Sequence, residues 1–217
     1  MFIGHWAPAL VASTHPKAPK LWILFVGGQL VDFAFFTFVL LGIEHMRIVP
    51  GITKMVPFDL YHMPWTHSLL GTVGWAAALG ALVWWLLQSR IAGLLAGAVV
   101  VSHWLLDLLV HRQDLTLVGT PPKLGLGLWN HPWIAMPLEL GITLAALLFY
   151  KRRTEGKMLP FMVMAGVLLV LQLGNWFGEQ AREMSAQVPI TGLVAFTIPV
   201  LLAWWLGTSR TLRATQG

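Results

Sequence analysis

The chain has 217 residues, of which 57% are hydrophobic and only 11% are charged, and it contains no cysteine. Soluble domains carry about 25% charged residues, so this composition excludes an ordinary water-soluble protein and predicts one transmembrane domain over residues 1–217. The lack of cysteine excludes a disulfide framework, a thiolate zinc site and a Cys nucleophile. The net charge of +5 does not indicate nucleic-acid binding, because the basic residues lie at the ends of apolar runs, where they act as topology signals.

The apolar runs predict helices. Residues 2–13 are too short to span a bilayer, which takes about 20 residues, and are predicted as a half-helix that re-enters among the other helices. The fold class is therefore all-α, with about six transmembrane helices plus a short N-terminal half-helix. The predicted spans are residues 21–43, 66–87, 91–111, 132–150, 158–178 and 190–206.

Orientation follows from the basic residues in alternate loops. Nine Lys and Arg lie on the side that carries both ends of the six-span set, and five lie on the other side. The positive-inside rule then places both ends in the cytoplasm. We expect a multi-pass protein of the cell inner (cytoplasmic) membrane, with loops 44–61 and 112–131 on the periplasmic or outer side.

The third span ends in a pattern of ionisable residues. His103, Asp107 and His111 lie four residues apart, so on a helix they share one face, each turned by about 40° from the last. A carboxylate between two imidazoles in hydrocarbon is costly unless something offsets its charge. A metal ion is the simplest offset, since neutral His and ionised Asp are both metal ligands.

Other spans carry ionisable residues to a similar depth. Asp32 lies at the middle of the first span, His67 opens the second, and His5 is level with Asp32 if the half-helix lies beside the first span. Five imidazoles and two carboxylates are typical of zinc sites, with manganese as the alternative, and spare carboxylates allow two ions with a bridging Asp. The predicted ligands are His5, Asp32, His62, His67, His103, Asp107 and His111.

A site of this kind serves hydrolysis, because a bound metal lowers the pKa of its water towards about 7 and supplies hydroxide at neutral pH. Two carboxylates are candidates for the catalytic base. Glu139 faces the same depth from the fourth span, and Asp114 follows Asp107 on nearly the same face if the third helix continues. The sequence leaves the choice between them open.

Each candidate also has a structural explanation. Asp32 fits a satisfied buried carboxylate or a proton relay, His62 an interfacial loop histidine, His67 a capping group and His111 a helix-end histidine favoured by the dipole. Ionisable residues at mid-depth on several helices also mark ion pathways, so the alternative function is a metal-ion or proton-coupled membrane transporter. A third alternative is a hydrogen-bonded polar core in a binding or assembly protein.

The order of these motifs resembles the YdjM-type membrane-bound metal-dependent hydrolases. Gly4-His5 and Asp32 stand where that family has an early Gly-His and an Asp motif, and the likeness covers roughly residues 4–120. Met63-Pro64 replaces an Arg-Gly of the family, and one Asp stands where the family often has Asp-x-Asp. The resemblance implies a metal site used in hydrolysis. The strings that carry it are His62-x4-His67-Ser68-Leu69-Leu70 and Ser102-His103-x3-Asp107.

The ligand order is also similar to that of zinc-dependent phospholipase C, an all-helical class that cleaves phosphodiesters with a metal cluster. The similarity is one of pattern and enters as an analogy. It implies that the substrate is a phosphoester of a lipid or of a lipid-linked molecule. The lipid bilayer that surrounds the protein is the other expected partner.

Overall fold

The computed structural model describes residues 1–214 and is built mainly of helices. The N-terminal piece is a 3₁₀ turn (Ile3–Trp6) followed by a short helix, α1 (Ala7–Ala12). Within these described residues, six further helices are long and apolar enough to cross a membrane. They are α2 (Leu21–Leu40), α3 (Leu69–Leu87), α4 (Arg90–Val110), α5 (Pro132–Arg153), α6 (Met158–Phe177) and α7 (Gln187–Ser209).

The six long helices have the length that a bilayer requires. They contain 19 to 23 residues, which at 1.5 Å per residue gives about 28 to 35 Å. The hydrocarbon core of a bilayer is about 30 Å thick. The prediction of an all-α membrane protein with six spans and a half-helix is confirmed.

The N-terminal half-helix is buried among the long helices. The side chains of Trp6 and Leu10 are fully buried, and the indole N–H of Trp6 donates to the carbonyl oxygen of Phe25 on α2 over 3.1 Å. Helix α1 packs against α2 and α5. Irregular backbone at membrane depth is tolerated where protein covers it, and this piece meets that condition.

Helices α3 and α4 form a tight antiparallel pair. The turn between them passes through Gln88, whose φ is +50°, and the Ser89 hydroxyl caps α4 by accepting from the Ala92 N–H over 3.2 Å. A Cβ on Gly80 would lie 3.0 Å from the carbonyl oxygen of Gly93. Small residues therefore let the two backbones approach closely, as is common between transmembrane helices.

Two small hairpins lie in the segments that join α2 to α3 and α4 to α5. Strand β1 (His45–Ile48) pairs antiparallel with β2 (Phe58–His62), and β3 (Leu115–Thr116) pairs antiparallel with β4 (Lys123–Leu124). The sequence predicts loops in both segments, and the hairpins are a feature that its pattern does not indicate. Strands of two to five residues carry too little alternation to be recognised from sequence.

These two segments, 41–68 and 111–131, meet at the same end of the bundle, which we call the loop end. An ion pair between Asp59 and Arg112 joins them, and Ser68 forms a β-bridge with Thr116. The loop end is therefore a connected layer over the termini of α2, α3, α4 and α5.

A third two-stranded sheet closes the opposite end. Strand β5 (Thr154–Gly156), after α5, pairs with β6 (Arg210–Leu212), after α7. The buried guanidinium of Arg210 donates to the carbonyl oxygens of Thr154 and Lys157 over 2.9 and 3.1 Å. This arginine ties the last helix to the turn between α5 and α6.

Candidate metal centre

Six ionisable side chains from four parts of the chain meet inside the bundle near its loop end. Five of them are buried, and the Asp32 side chain is 16% exposed. Asp32 comes from α2, and α4 supplies two side chains and, at its C-cap, a third. The six are His5, Asp32, His67, His103, Asp107 and His111.

Asp107 lies at the centre of this cluster. Its Oδ1 is 3.0 Å from His5 Nε2 and 3.5 Å from His111 Nε2. Its Oδ2 is 3.1 Å from His103 Nε2 and 3.7 Å from His67 Nε2. The two carboxylate oxygens therefore serve different pairs of imidazoles. The α-amino group of Met1 also donates to Oδ1, over 2.8 Å.

Asp32 provides the second carboxylate. Its Oδ1 lies 3.3 Å from His67 Nε2 and 3.6 Å from His103 Nε2. Among the described residues, two groups of three have ligand atoms that all lie within 4.8 Å of one another. One is His5, His103 and Asp107, and the other is Asp32, His67 and His103. A metal ion fits either group, and His103 belongs to both.

The close approach of the N-terminal piece to α2 depends on Gly28. A Cβ at this position would lie 2.7 Å from the carbonyl oxygen of His5, a separation that real Cβ atoms do not tolerate. The carbonyl oxygen of Gly28 itself accepts a hydrogen bond from His103 Nδ1 over 2.8 Å. One glycine thus admits His5 to the cluster and orients His103.

His67 is oriented by a buried chain of hydrogen bonds. Thr66 Oγ1 lies 2.6 Å from Glu44 Oε2 and 2.9 Å from His67 Nδ1. Because the threonine hydroxyl donates to the carboxylate, it accepts the Nδ1–H of His67. Glu44 is fully buried, and its other oxygen accepts the backbone N–H groups of Trp65 and Thr66 over 2.7 and 3.0 Å.

His111 and His5 are held in the same way. His111 Nδ1 lies 2.9 Å from Asp114 Oδ1, and the Trp129 ring covers His111 with its centroid 4.2 Å away. His5 Nδ1 lies 3.2 Å from Gln29 Oε1. The amide nitrogen of Gln29 donates to a backbone carbonyl oxygen, so its oxygen is the atom that faces His5.

These contacts assign the tautomers of all four histidines, since each Nδ1 faces an acceptor and must carry the proton. Each Nε2 then faces the Asp32 or Asp107 carboxylate, and in the neutral imidazole it is the nitrogen available to a metal ion. Among residues 1–214, the buried atoms His5 Nε2, His103 Nε2 and Asp107 Oδ2 have no hydrogen-bond partner. Imidazole nitrogens and carboxylate oxygens that converge in this way, with outer partners that orient each ring, could hold a metal ion.

The structure does not bring His62 to this cluster. His62 is exposed at the end of β2, paired with His45 of β1, and the two imidazole rings stack with centroids 5.5 Å apart. His67 follows five residues later but has turned inward with the backbone before α3. Neither triad of the described part of the chain includes His62.

Glu139 is occupied by the N-terminal segment. Its Oε1 accepts the backbone N–H groups of Phe2 and Gly4 over 2.5 and 3.2 Å, and its Oε2 lies 3.4 Å from Gln172 Nε2. The Oε1 of Gln172 accepts the N–H of Ile3 over 3.2 Å. These are the contacts of a residue that positions the segment carrying His5.

Asp114 reaches the cluster by a route other than the one predicted. The prediction required the third predicted span, which is α4 in the structure, to continue as a helix past His111. It does not, because α4 ends at Val110 and His111 has extended backbone with ψ of 145°. A turn returns Asp114 to His111, and its Oδ2 lies 3.5 Å from Arg112 Nε. Asp114 and His62 both line a cleft of about 40 Å³ at the loop end.

Sequence reasoning missed the residues that orient the ligands. Glu44 lies in a loop and Gln29 inside an apolar span, and neither matches a metal motif. The one local signal for Gln29 is its position three residues before Asp32, on a similar helix face. No family model matches the chain, and neither a curated protein nor a solved structure matches it.

Proposed function

We propose that this chain is a membrane-embedded metal-dependent hydrolase of the YdjM type, which acts on a phosphoester of a lipid or lipid-linked substrate. The observation that carries the proposal is the set of four imidazole Nε2 atoms that lie 3.0 to 3.5 Å from the oxygens of two carboxylates. Zinc suits this mixture of nitrogen and oxygen ligands best, and manganese is the alternative.

The position of the Asp107 carboxylate, whose two oxygens face different pairs of histidines, supports a site with two metal ions. Its Oδ1 is near His5 and His111, whereas its Oδ2 is near His103 and His67. A carboxylate whose oxygens each serve separate ligands is suited to bridging two cations, as in two-metal phosphoesterases. Asp32 completes the second group.

A bound divalent ion would lower the pKa of a coordinated water towards about 7 and supply hydroxide at neutral pH. The chain's own residues exclude bulk water, direct each Nε2 towards the carboxylates and fix the ligand positions. Of the two carboxylates predicted as base, Asp114 is the better supported, because its Oδ2 is free of hydrogen-bond partners among the described residues. The oxygens of Glu139 are taken by backbone and amide N–H groups.

The depth of the cluster favours an amphiphilic substrate. His103 lies seven residues before the end of α4, which places it about 10 Å below the loop end. A molecule anchored in the bilayer carries its headgroup close to this depth, whereas a fully hydrated substrate would have to leave water to reach it. The counts of basic residues support a cytoplasmic-membrane protein whose loop end faces outward.

The first test is the metal content of the protein purified in detergent without added chelator. We expect one or two zinc or manganese ions per chain, lost in His103→Ala and Asp107→Ala. The matched control is His131→Ala, because His131 is exposed at the start of α5 and its loss should leave the metal in place. Metal-free wild-type protein whose stability is unchanged in both cluster variants would refute the proposal.

The second test uses the metal-loaded protein in vesicles that contain a lipid phosphomonoester or phosphodiester. Release of the headgroup or phosphate that stops on chelation supports hydrolysis. Passage of the metal or of protons across the vesicle wall, without cleavage, would favour the transporter instead.

A further inference from the structure

An apolar groove of about 360 Å³ lies on the side of the bundle where α2 meets α3, at the loop end. It is distinct from the metal cluster, and none of its lining residues is a candidate ligand. The lining residues are Phe38, Ile43, Trp65, Gly71, Gly74 and Trp75.

The groove is part of the fixed structure. A Cβ on Gly71 would lie 2.4 Å from the carbonyl oxygen of Trp65, so a glycine is needed for the Trp65 backbone to rest on α3. The same carbonyl accepts the indole N–H of Trp75 over 3.1 Å. A Cβ on Gly74 would meet no atom of the described chain within 4 Å. The space beside this glycine is therefore open, and it is part of the groove.

The groove opens towards the lipid. The Trp65 side chain is 62% exposed, and the neighbouring Leu70 and Val73 on α3 are also exposed. A membrane-spanning helix that presents such residues outward is surrounded by hydrocarbon chains, and indoles of this kind are enriched at the membrane interface. The groove is continuous with this lipid-facing surface.

The deep edge of the groove, at Trp75, lies close to the depth of the metal cluster. Trp75 is six residues into α3, about 9 Å from its start, which is close to the depth of His103 below the loop end. They are also neighbours, because Trp65 is two residues before His67. Phe35, whose ring meets His67 edge-on with centroids 5.1 Å apart, is one helical turn before Phe38.

We propose that this groove binds a hydrocarbon chain of the lipid substrate and thereby holds the phosphate headgroup beside the metal cluster. The assignment of the lipid as substrate rests on the proposed function. The assignment of the groove as a lipid-chain site rests on its apolar lining, its depth and its opening into the bilayer. A bilayer lipid is the occupant because nothing else of this chemistry surrounds the helix at that depth.

The test is photolabelling of the full chain in lipid nanodiscs with phosphatidic acid that carries a diazirine in the upper half of one acyl chain. Mass spectrometry of the digested protein locates the label. We expect label on the peptides that contain Phe38 and Trp65 to Trp75. Label spread evenly over α5, α6 and α7 would overturn the proposal.

Gly74→Leu adds an apolar side chain to the groove lining, where its Cβ would meet no described atom within 4 Å, and Gly166→Leu is its control. Gly166 is exposed on α6 and its Cβ would likewise meet no described atom within 4 Å. Displacing about two buried methylene groups of the lipid chain corresponds to roughly tenfold weaker binding. We therefore expect the amount of label in the groove to fall about tenfold in Gly74→Leu and to stay unchanged in Gly166→Leu. Equal labelling of the two variants would overturn the proposal.

Metal content, measured on the same samples, separates the two proposals. A metal-loaded Gly74→Leu protein that has lost the label supports the groove. Metal-loaded wild-type protein without groove label refutes the groove alone. A labelled groove in wild-type protein that binds no metal would refute the hydrolase, and with it the role of the bound lipid as substrate.

Discussion

The Nδ1–H of His111 donates to Asp114 Oδ1 over 2.9 Å, and this contact leaves Nε2 to face Asp107. Partners of this kind fix the tautomer of a ligand and raise its basicity, and their loss usually costs 10- to 100-fold in metal affinity or activity.

We therefore expect Asp114→Asn to keep the fold and lower metal affinity by about 10- to 100-fold. The amide oxygen still accepts the Nδ1–H, but the negative charge is lost. Titration with a competing chelator measures the affinity. Wild-type affinity in Asp114→Ala, which removes the acceptor altogether, would show that this contact has no part in metal binding.

Glu44→Gln should reverse the donors and acceptors in the two hydrogen bonds that link residue 44, through Thr66, to His67. The amide N–H₂ of a glutamine can face the Thr66 hydroxyl, which then donates to Nδ1 of His67 and leaves its proton on Nε2. A protonated Nε2 is no ligand, so metal affinity should fall by about 10- to 100-fold.

The control for this variant is Thr66→Ser, which keeps the hydroxyl and should bind metal normally. Metal titration and thermal unfolding of both variants separate loss of the ligand from loss of the fold. Full metal binding by Glu44→Gln would contradict the tautomer assigned to His67.

Two variants of Glu139 test whether this residue positions the N-terminal segment or acts as the catalytic base. Glu139→Gln keeps an oxygen for the N–H groups of Phe2 and Gly4, so we expect it to retain metal and most hydrolytic activity. Glu139→Ala leaves buried N–H groups unpaired, at a cost of about 1 to 3 kcal/mol each. Loss of activity in Glu139→Gln with metal and unfolding temperature intact would restore Glu139 as the base.

His62→Ala should keep the full metal content of the wild type, because His62 is exposed and stacks on His45. A surface change of this kind alters stability by about 0.5 kcal/mol or less. Elemental analysis and thermal unfolding provide the check. A variant that lost stoichiometric metal would place His62 in the cluster after all.

Removing the metal should destabilise the protein. A ligand that binds only the native state stabilises it by about 2.7 kcal/mol at 100 times its Kd, so chelation should lower the unfolding temperature and added zinc should restore it. The His103→Ala variant should not respond to either treatment. An unfolding temperature unaffected by chelation in wild-type protein that held metal would contradict a structural contribution from the ion.

The helices could be predicted from sequence because hydrophobicity over about 20 residues decides them with little help from tertiary contacts. The end of α4 shows the limit of this reasoning. The apolar pattern continues into His111, but the backbone turns there, so Asp114 comes back to His111 from a turn and not along a helix face. The β1–β2 hairpin was missed because its pairing joins residues well apart in the chain.

The convergence of His5, Asp32 and Asp107 could be predicted from depth alone, since three segments each placed an ionisable group at a similar level. The direction in which each side chain points could not be predicted. Glu139 lies at a comparable depth but is bonded to the N-terminal backbone, and His62 lies close to His67 in sequence but on an exposed strand. The partners of the imidazoles, such as Glu44, depend on tertiary contacts that no local pattern records.

The segment that carries His5 is anchored by Glu139 and Gln172, which belong to α5 and α6. During synthesis, the segment that carries His5 must therefore wait until α5 and α6 have entered the bilayer before it reaches its final position. On the proposed function, metal loading becomes a late event of biogenesis, because a nascent chain arrested after α4 would hold its candidate ligands without the anchor of His5.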